Sequence, residues 1–507
     1  MRDANDANLV LGIVGAGTMG QGIAQIAAAA GIEVLLHDSA EGAAAKGAAA
    51  LATLFDSLAA KGKLSRDAAQ DTIARIKPVA ALADLAPCDV VVEAIVELLD
   101  VKKALFSALE AVVRADCVLA SNTSSLSVSA IAAACKKPQR VAGLHFFNPV
   151  ALMKIVEIVP GVVTDPKISD FLLALGRRVG HAVALVRDAP GFLVNHVGRG
   201  YNTESLRVAS EGVASPVDID RVLTEQAGFR MGPFQLLDLI GLDVTQAVME
   251  SLYAQFYQEP RFRPSILPRN MVAAGLLGRK TGRGFFTYIY GKTLLPPEQP
   301  APAARGAKVW ISPRDPEAQA ALAAIVEKAG GVLDAGATPA PDSICIVTPL
   351  GEDCTTAALA EGLEPSRTLA VDPLFGFAGR RVLMSNPATT PESRAALHGL
   401  LAAGGHAVTA IHDSPGFVSQ RVVASVVNVA CDAAQQQIAA PADIDEAVRL
   451  GLGYPEGPLS LGDRIGARKI VTVLEKLLSA TGDPRYRPSL WLRRRAALGL
   501  PLATPEG

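Results

Sequence analysis

The stretch L-V-L-G-I-V-G-A-G-T-M-G at residues 9–20 decides how the N-terminal part of the chain folds. Residues 9–14 form a short apolar run, the pattern of a strand buried on both faces of a parallel sheet. A glycine-spaced turn follows, and the Ala-rich residues 21–30 then read as a helix. The next run, E-V-L-L-H-D, ends at Asp38, 18 residues past Gly20. Strand, G-x-G-x-x-G, helix, strand and terminal acid in that order make a dinucleotide fingerprint in the context it requires. Gly15 permits the tight turn, Gly17 lets the backbone approach a pyrophosphate, and Gly20 lets the helix pack on the strand. Thr18 and Met19 lie at the helix N-terminus, which would face the phosphates. Asp38 would accept hydrogen bonds from an adenosine ribose and repel a 2′-phosphate, which favours NAD over NADP.

The same alternation continues outward. Residues 88–93, 118–121 and 141–147 read as strands, and 102–113 as a helix. Such a run implies a parallel sheet wound on both faces, a Rossmann domain over residues 1–187. Ligands in such sheets bind beyond the carboxyl ends of the strands. That rim would hold residues 93–97, 121–125 and 145–148.

The stretch G-L-H-F-F-N-P-V-A-L-M-K-I-V-E-I-V at residues 143–159 carries the most specific chemistry. Glu157 falls inside an apolar run, where a bare carboxylate is costly and needs a partner. His145 is the natural one if the two strands fold back on each other. A carboxylate on one imidazole nitrogen fixes the tautomer, and the other nitrogen can then take a proton from an alcohol. A satisfied structural His–Glu pair is the plain alternative. Ser124, in a Ser/Thr-rich turn, and Asn195, early in a helix after Pro190-Gly191, each fit a capping role as readily as a catalytic one.

Residues 9–288 resemble the 3-hydroxyacyl-CoA dehydrogenases of fatty-acid β-oxidation. The resemblance runs through G-A-G-T-M-G, S-N-T-S-S, H-F-F-N-P, K-I-V-E-I-V, D-A-P-G-F-L-V-N and G-R-K-T-G-R-G-F-F. It implies oxidation of a (3S)-3-hydroxyacyl-CoA to the 3-ketoacyl-CoA with NAD as cofactor. On that resemblance His145 is the general base and Glu157 its partner, while Ser124 and Asn195 hydrogen-bond the substrate's reacting oxygens. Glu97, Lys102, Asn148 and Lys280 would line the nicotinamide side. Coenzyme A would meet Lys61 and Ser57, although L-A-A-K-G-K-L at residues 58–64 reads equally well as a solvated helix end. The chain is most similar to bacterial tandem forms, those acting on 3-hydroxybutyryl-CoA and those of phenylacetate breakdown acting on 3-hydroxyadipyl-CoA. Two further readings stand beside it: a 6-phosphogluconate-type β-hydroxyacid dehydrogenase, which shares the glycine turn but uses a catalytic lysine, and a crystallin-like or NAD-sensing protein without turnover.

The chain then repeats itself. D-A-P-G-F-L-V-N-H at residues 188–196 returns as D-S-P-G-F-V-S-Q-R at 413–421, an offset of 225. That offset also maps D-I-D at 218–220 onto 443–445 and Gly232-Pro233 onto Gly457-Pro458. A period this long is a domain duplication. Residues 192–210, 216–228 and 233–257 read as helices, so 188–292 is expected to be an all-α domain. A Pro-rich linker follows at 293–307, then a degenerate Rossmann-like α/β segment at 308–407 without a glycine fingerprint, then a second helical copy at 408–507. At the same offset His145 meets Ala370, Glu157 meets Val382 and Asn195 meets Gln420, so the second half should lack the chemistry. In relatives with one helical domain that domain makes the dimer contact, and a tandem copy would act as an internal pseudo-dimer partner. A homo-oligomer is the other arrangement.

Bulk properties bound the rest. At 507 residues the chain is too long for one core, and half of it is hydrophobic. A net charge of −2 gives no reason to expect nucleic acid or membrane partners. Six cysteines without metal-ligand spacing read as buried thiols, and no metal is expected. The lead-in is acidic and its apolar run short, which points to a cytoplasmic protein.

Overall fold

The computed structural model describes residues 1–298, 300–303 and 306–506. Residues 299, 304 and 305 of the expected linker and residue 507 of the expected last domain lie outside the described residues. The chain divides into two compact units, Met1–His196 with Gln436–Gly453, and Val197–Gln435 with Tyr454–Gly507.

The first unit is built on β1 (Val10–Val14), α1 (Thr18–Ala29), β2 (Glu33–His37), α2 (Ala43–Ala60), α3 (Arg66–Ala74), β3 (Ile76–Val79), β4 (Val90–Glu93), α4 (Leu99–Val112), β5 (Val118–Ser121), α5 (Val128–Ala132), β6 (Val141–Phe146), β7 (Ile155–Pro160), α6 (Pro166–Arg178) and β8 (Ala182–Leu185). The strands lie in the order β3-β2-β1-β4-β5-β6-β7-β8, parallel up to β6. Strand β7 then turns back antiparallel to β6, and β8 runs parallel to β7. Both faces are covered, as unbroken apolar strands demand. Ile13, Val92 and Ala120 enter one core with α1, while Val14, Val91 and Leu119 enter another with α4.

Helix α7 (Val194–Ser210) begins in the first unit and continues into the second. It is followed by α8 (Pro216–Glu225), α9 (Pro233–Ile240), α10 (Leu242–Gln255), α11 (Ile266–Ala273) and the hairpin β9 (Thr287–Ile289) and β10 (Lys292–Leu294). The single helix expected over 233–257 is two helices. Gly241 breaks it at φ +104°, a backbone angle that side-chain-bearing residues rarely take. Residues 293–298 are more than a spacer. Glu298 pairs with the buried Arg380 and with Arg221.

A second, six-stranded sheet follows: β11 (Lys308–Ile311), α12 (Pro316–Lys328), β12 (Val332–Leu333), β13 (Ile344–Val347), α13 (Cys354–Ala360), β14 (Thr368–Val371), β15 (Arg381–Ser385), α14 (Pro391–Ala402) and β16 (Val408–Ile411). Its order is β12-β11-β13-β14-β15-β16, with β15 antiparallel to β14. This repeats the first sheet with β3 and β4 left out. Only residues 334–343 join β12 to β13, whereas 38–117 join β2 to β5. The deleted stretch would have matched the one carrying Asp38, Lys61, Glu97 and Lys102.

The chain closes with α15 (Val418–Gln435), α16 (Pro441–Leu452), α17 (Pro458–Ile465), α18 (Ala467–Thr481) and α19 (Leu490–Leu498). In the second unit α15 is buried on almost every side. Gly200 of α7 lets it come close: a Cβ there would stand 2.9 Å from the Val426 Cα. Arg421 is buried between the two helical copies, held by Glu204, Glu211, Ser414 and Tyr486. Arg261 pairs with Asp432 at 2.8 Å and Arg207 with Asp483 at 3.0 Å. In the first unit α16 packs on β7 and β8, with Gly451 against Val194 and Ile155. The Arg187 N–H donates to Ile438 O at 2.8 Å.

The repeated Asp-x-Pro-Gly-Phe motif has a structural duty in both halves. Asp188 accepts from Ser127 Oγ and from the N–H groups of Val128 and Ser129, anchoring the start of α5. Asp413 does the same for α13 through Cys354 N and the Thr355 hydroxyl. All six cysteines are buried thiols. No helix among the described residues is long and apolar enough to cross a membrane.

Candidate active site

The turn after β1 suits a dinucleotide. Gly15 sits at φ +108°, and a Cβ on Gly20 would fall 1.7 Å from Gly15 O, so both positions require glycine. Gly17 has nothing within 4 Å of its Cβ position, which leaves the face of the loop open. Helix α1 starts with no side-chain cap and no acid in its first turn, so its N-terminus can take an anion. Asp38 accepts from Ala16 N at 2.7 Å and Ala40 N at 2.9 Å, which fixes its carboxylate beside the turn. Thr18 is exposed and Met19 half-buried at the mouth of the same helix. In the second sheet the matching helix α12 is capped by its own Asp315, with Glu317 in its first turn. Two carboxylates there oppose a pyrophosphate.

The β6–β7 register sets His145 directly opposite Glu157. Their Nδ1 and Oε2 atoms lie 2.6 Å apart. The other carboxylate oxygen, Oε1, accepts from Leu193 N at 3.0 Å and Val194 N at 2.8 Å, where α7 begins. One buried carboxylate thus orients the imidazole and ties it to the helix that presents Asn195, a half-buried residue in the first turn. Phe147 and Phe192 flank the imidazole at centroid distances of 4.4 and 5.6 Å. The charged partner bound at Nδ1 leaves Nε2 as the nitrogen for proton exchange.

Ser124 lies in the loop after β5, which Glu97 organises. Glu97 Oε1 accepts from Thr123 Oγ1, Ser124 N and Ser125 N at 2.7, 2.9 and 3.0 Å. Burial raises the Glu97 carboxyl, and the Thr123 hydroxyl, the Lys102 ammonium and the serine donors outweigh it, leaving the group below the usual carboxylate range. Asn122 ties this loop to β6: its Oδ1 accepts from Phe146 N at 2.8 Å. Lys102, on α4, reaches the same carboxylate. It is 1% exposed, and its ammonium is held by Glu93 and Glu97. It braces Glu97.

Asn148 is exposed on the loop after β6. Ser57 sits in the last turn of α2 and Lys61 caps it, exposed. Lys280 belongs to the second unit and pairs with Asp243. Glu93, Asn122, Thr123 and Asp188 were missed by sequence reasoning. Glu93 ended a strand already read as buried, and a buried acid there signals a partner such as Lys102.

The gapless alignment also needs correction. The β7–β8 and β15–β16 pairings share one spacing, Glu157 with Ala184 and Val382 with Thr409, so Val382 does occupy the Glu157 position. Asp372 N donates to Val382 O at 3.1 Å, which makes Asp372, not Ala370, the counterpart of His145. The hairpin is two residues shorter in the second half. Gln420, in place of Asn195, is wholly buried; it donates to Asp372 Oδ1 and Pro349 O and accepts from Gly351 N. The second site is closed by its own side chains.

The model of the 3-hydroxyacyl-CoA dehydrogenase NAD-binding domain matches residues 10–189, and that of the C-terminal domain matches 191–288 and again 416–507. The chain belongs to the 3-hydroxyacyl-CoA dehydrogenase family. It is 38% identical over 488 residues to the 3-hydroxyadipyl-CoA dehydrogenase of Escherichia coli (strain K12), covering 96% of this chain and 97% of that one. The probable 3-hydroxybutyryl-CoA dehydrogenase of Deinococcus radiodurans is 40% identical over 277 residues, 55% of this chain and 99% of the other. The crystal structure of 3-hydroxybutyryl-CoA dehydrogenase from Escherichia coli K12 superposes with a TM-score of 0.84 at 34% identity, covering 97% of this chain and 98% of that one. The N-terminal domain is of the family's NAD-binding type, as the glycine turn and Asp38 expect.

Proposed function

We propose that the chain oxidises a (3S)-3-hydroxyacyl-CoA to the 3-ketoacyl-CoA, with 3-hydroxybutyryl- and 3-hydroxyadipyl-CoA as the substrate class that its relatives' names suggest. When bound, the nicotinamide supplies the hydride acceptor, which takes the hydrogen from C3 with its electron pair. His145 Nε2 takes the hydroxyl proton as that hydrogen leaves, and Glu157 stabilises the imidazolium through Nδ1. Ser124 and Asn195 donate to the oxygen, where charge develops. Gly15, Gly17, Gly20 and Asp38 hold the dinucleotide, and Glu97 shapes the loop that presents Ser124. The carrying observation is the divided duty of Glu157, one oxygen on the imidazole and one on the start of α7. The loop of Ser124, bound to the same strand through Asn122, supports the catalytic reading. NADH formation from a panel of 3-hydroxyacyl-CoAs tests this; no turnover with any of them would favour a non-enzymatic NAD-binding protein.

The second helical copy is proposed to serve as an internal partner. Support comes from Arg421, buried among residues of both copies, and from α16 of the second copy packed on β8. A single chain would then be the complete catalytic body.

A further inference from the structure

The second sheet carries a cavity of its own. Strand β1 and helix α1 start at Val10 and Thr18, and β11 and α12 at Lys308 and Pro316, so both elements repeat at an offset of 298. Ile23 and Ala27 of α1 then correspond to Ala321 and Ile325 of α12. Ile23 and Ala27 are buried, whereas Ala321 is exposed and Ile325 half-buried. In the first sheet the β6–β7 hairpin lies on α1, with Val150 against Gly22. The β14–β15 hairpin is two residues shorter and leaves the matching face of α12 open. A cavity of about 440 Å³ lies there, lined by Ile325, Leu350, Leu374, Phe377 and Arg381. One water occupies only about 30 Å³ in the liquid, so the space suits something larger.

Arg381 is 5% exposed. It pairs with Val408 as Val156 pairs with Val183, so it stands where the first sheet buries Val156 in an apolar core. The fold does not need a cation at this position. Side chains alternate along a strand, so Arg381 faces away from Val382 and from the closed counterpart of the His145–Glu157 pair. Its Nε donates to Phe377 O at 2.9 Å and its Nη1 to Leu401 O. Among the described residues Nη2 donates to no group, and no carboxylate pairs with the guanidinium. Burial pulls the group below its ordinary value, and nothing opposes that shift. A buried charge without a countercharge is costly. Lys469, exposed on α18, lines the same cavity.

We propose that this cavity binds an aliphatic monocarboxylate, with its head on Arg381 and its chain along Ile325, Leu350, Leu374 and Phe377. The planar fork of a guanidinium matches a carboxylate, and the apolar wall matches a hydrocarbon chain. Asp315 and Glu317 also line the cavity and repel a polyanion such as a nucleoside diphosphate. The site lies within the second unit and does not depend on the dehydrogenase reading.

Calorimetric titration of the intact chain with hexanoate, hexanamide and ADP tests it. Hexanoate is expected to bind at least about tenfold tighter than hexanamide, which has the same chain and no charge. Arg381→Gln is expected to weaken hexanoate by about 30-fold and to leave hexanamide within about threefold. Ala321→Trp, at an exposed position on the cavity wall, is expected to abolish hexanoate binding while NADH formation and the thermal midpoint stay close to those of the parent. Absence of saturable hexanoate binding, equal affinity for hexanamide, tighter binding of ADP, or hexanoate affinity unmoved by Ala321→Trp overturns the proposal. Should Arg381→Gln fail to fold, Ala321→Trp decides, because its site lies outside the core. Loss of NADH formation from every 3-hydroxyacyl-CoA would defeat the dehydrogenase reading and leave this one standing.

Discussion

Asp372 stands across its hairpin from Val382 as His145 stands across from Glu157. The backbone of the site was copied and its chemistry was not. Burial pushes the Asp372 carboxyl up, while Ser419, Leu374, Gln420 and Gln226 bind it. Asp372→Asn is therefore expected to leave turnover within about twofold while changing the thermal midpoint. Steady-state NADH formation and a melting curve check both. A loss beyond about tenfold in a folded variant would mean that the second sheet takes part in catalysis.

The glycine turn allows a sharp separation of folding from binding. Gly17 has ordinary φ and ψ of −74° and −169°, and its Cβ position is open. Gly17→Ala should fold and melt like the parent, yet weaken NAD binding by at least about tenfold, because the methyl takes the space of the phosphates. Gly20→Ala should lower stability itself, since its Cβ would overlap Gly15 O. Calorimetric NAD titration and melting curves separate the two. Equal NAD affinity in Gly17→Ala would mean that the dinucleotide does not lie on this turn.

Much of this was legible in the sequence because it is local. The turn after β1 reads off three glycines, and the His145–Glu157 pair reads off an acid inside an apolar run. The burial of Lys102 was not legible, because its partners, Glu93 and Glu97, come from outside its own helix. The Asp372 counterpart was hidden by a hairpin shortened by two residues, a change that sequence offset cannot register. The break at Gly241 was lost in an apolar pattern that continues on both sides of it. The loss of β3 and β4 from the second sheet is topological and leaves no motif to read.

Asp220 supplies a pH test. Burial pushes its carboxyl up to about 7, against the pull of the Phe234 and Gln235 N–H groups, with Asp238 pushing the same way as burial. Between about pH 4 and 7 the folded chain holds a proton there that the unfolded chain releases. Stability contributed by that proton is present at low pH and is lost as pH rises through the window, by up to ~1.4 kcal/mol per unit. Asp220→Asn cannot titrate, so its urea midpoint should vary less between pH 5 and 7 than that of the parent. An unchanged slope would place the charge dependence elsewhere.

Arg421 tests the internal partner. Its side chain is 1% exposed and faces Glu204 at 2%. Arg421→Met would leave that carboxylate with its main countercharge gone, at a cost of about 3–5 kcal/mol. Deleting residues 300–507 removes α15 and α16 together and should give an insoluble chain or a concentration-dependent dimer, read by sedimentation. A fully active monomer from that deletion would contradict the internal-partner role.

The most direct measurement concerns His145. In His145→Gln, single-turnover NADH formation from 3-hydroxybutyryl-CoA should fall by about 10³-fold or more, with NAD affinity and melting temperature close to those of the parent. Turnover within a few-fold of the parent would contradict the central claim and require another base.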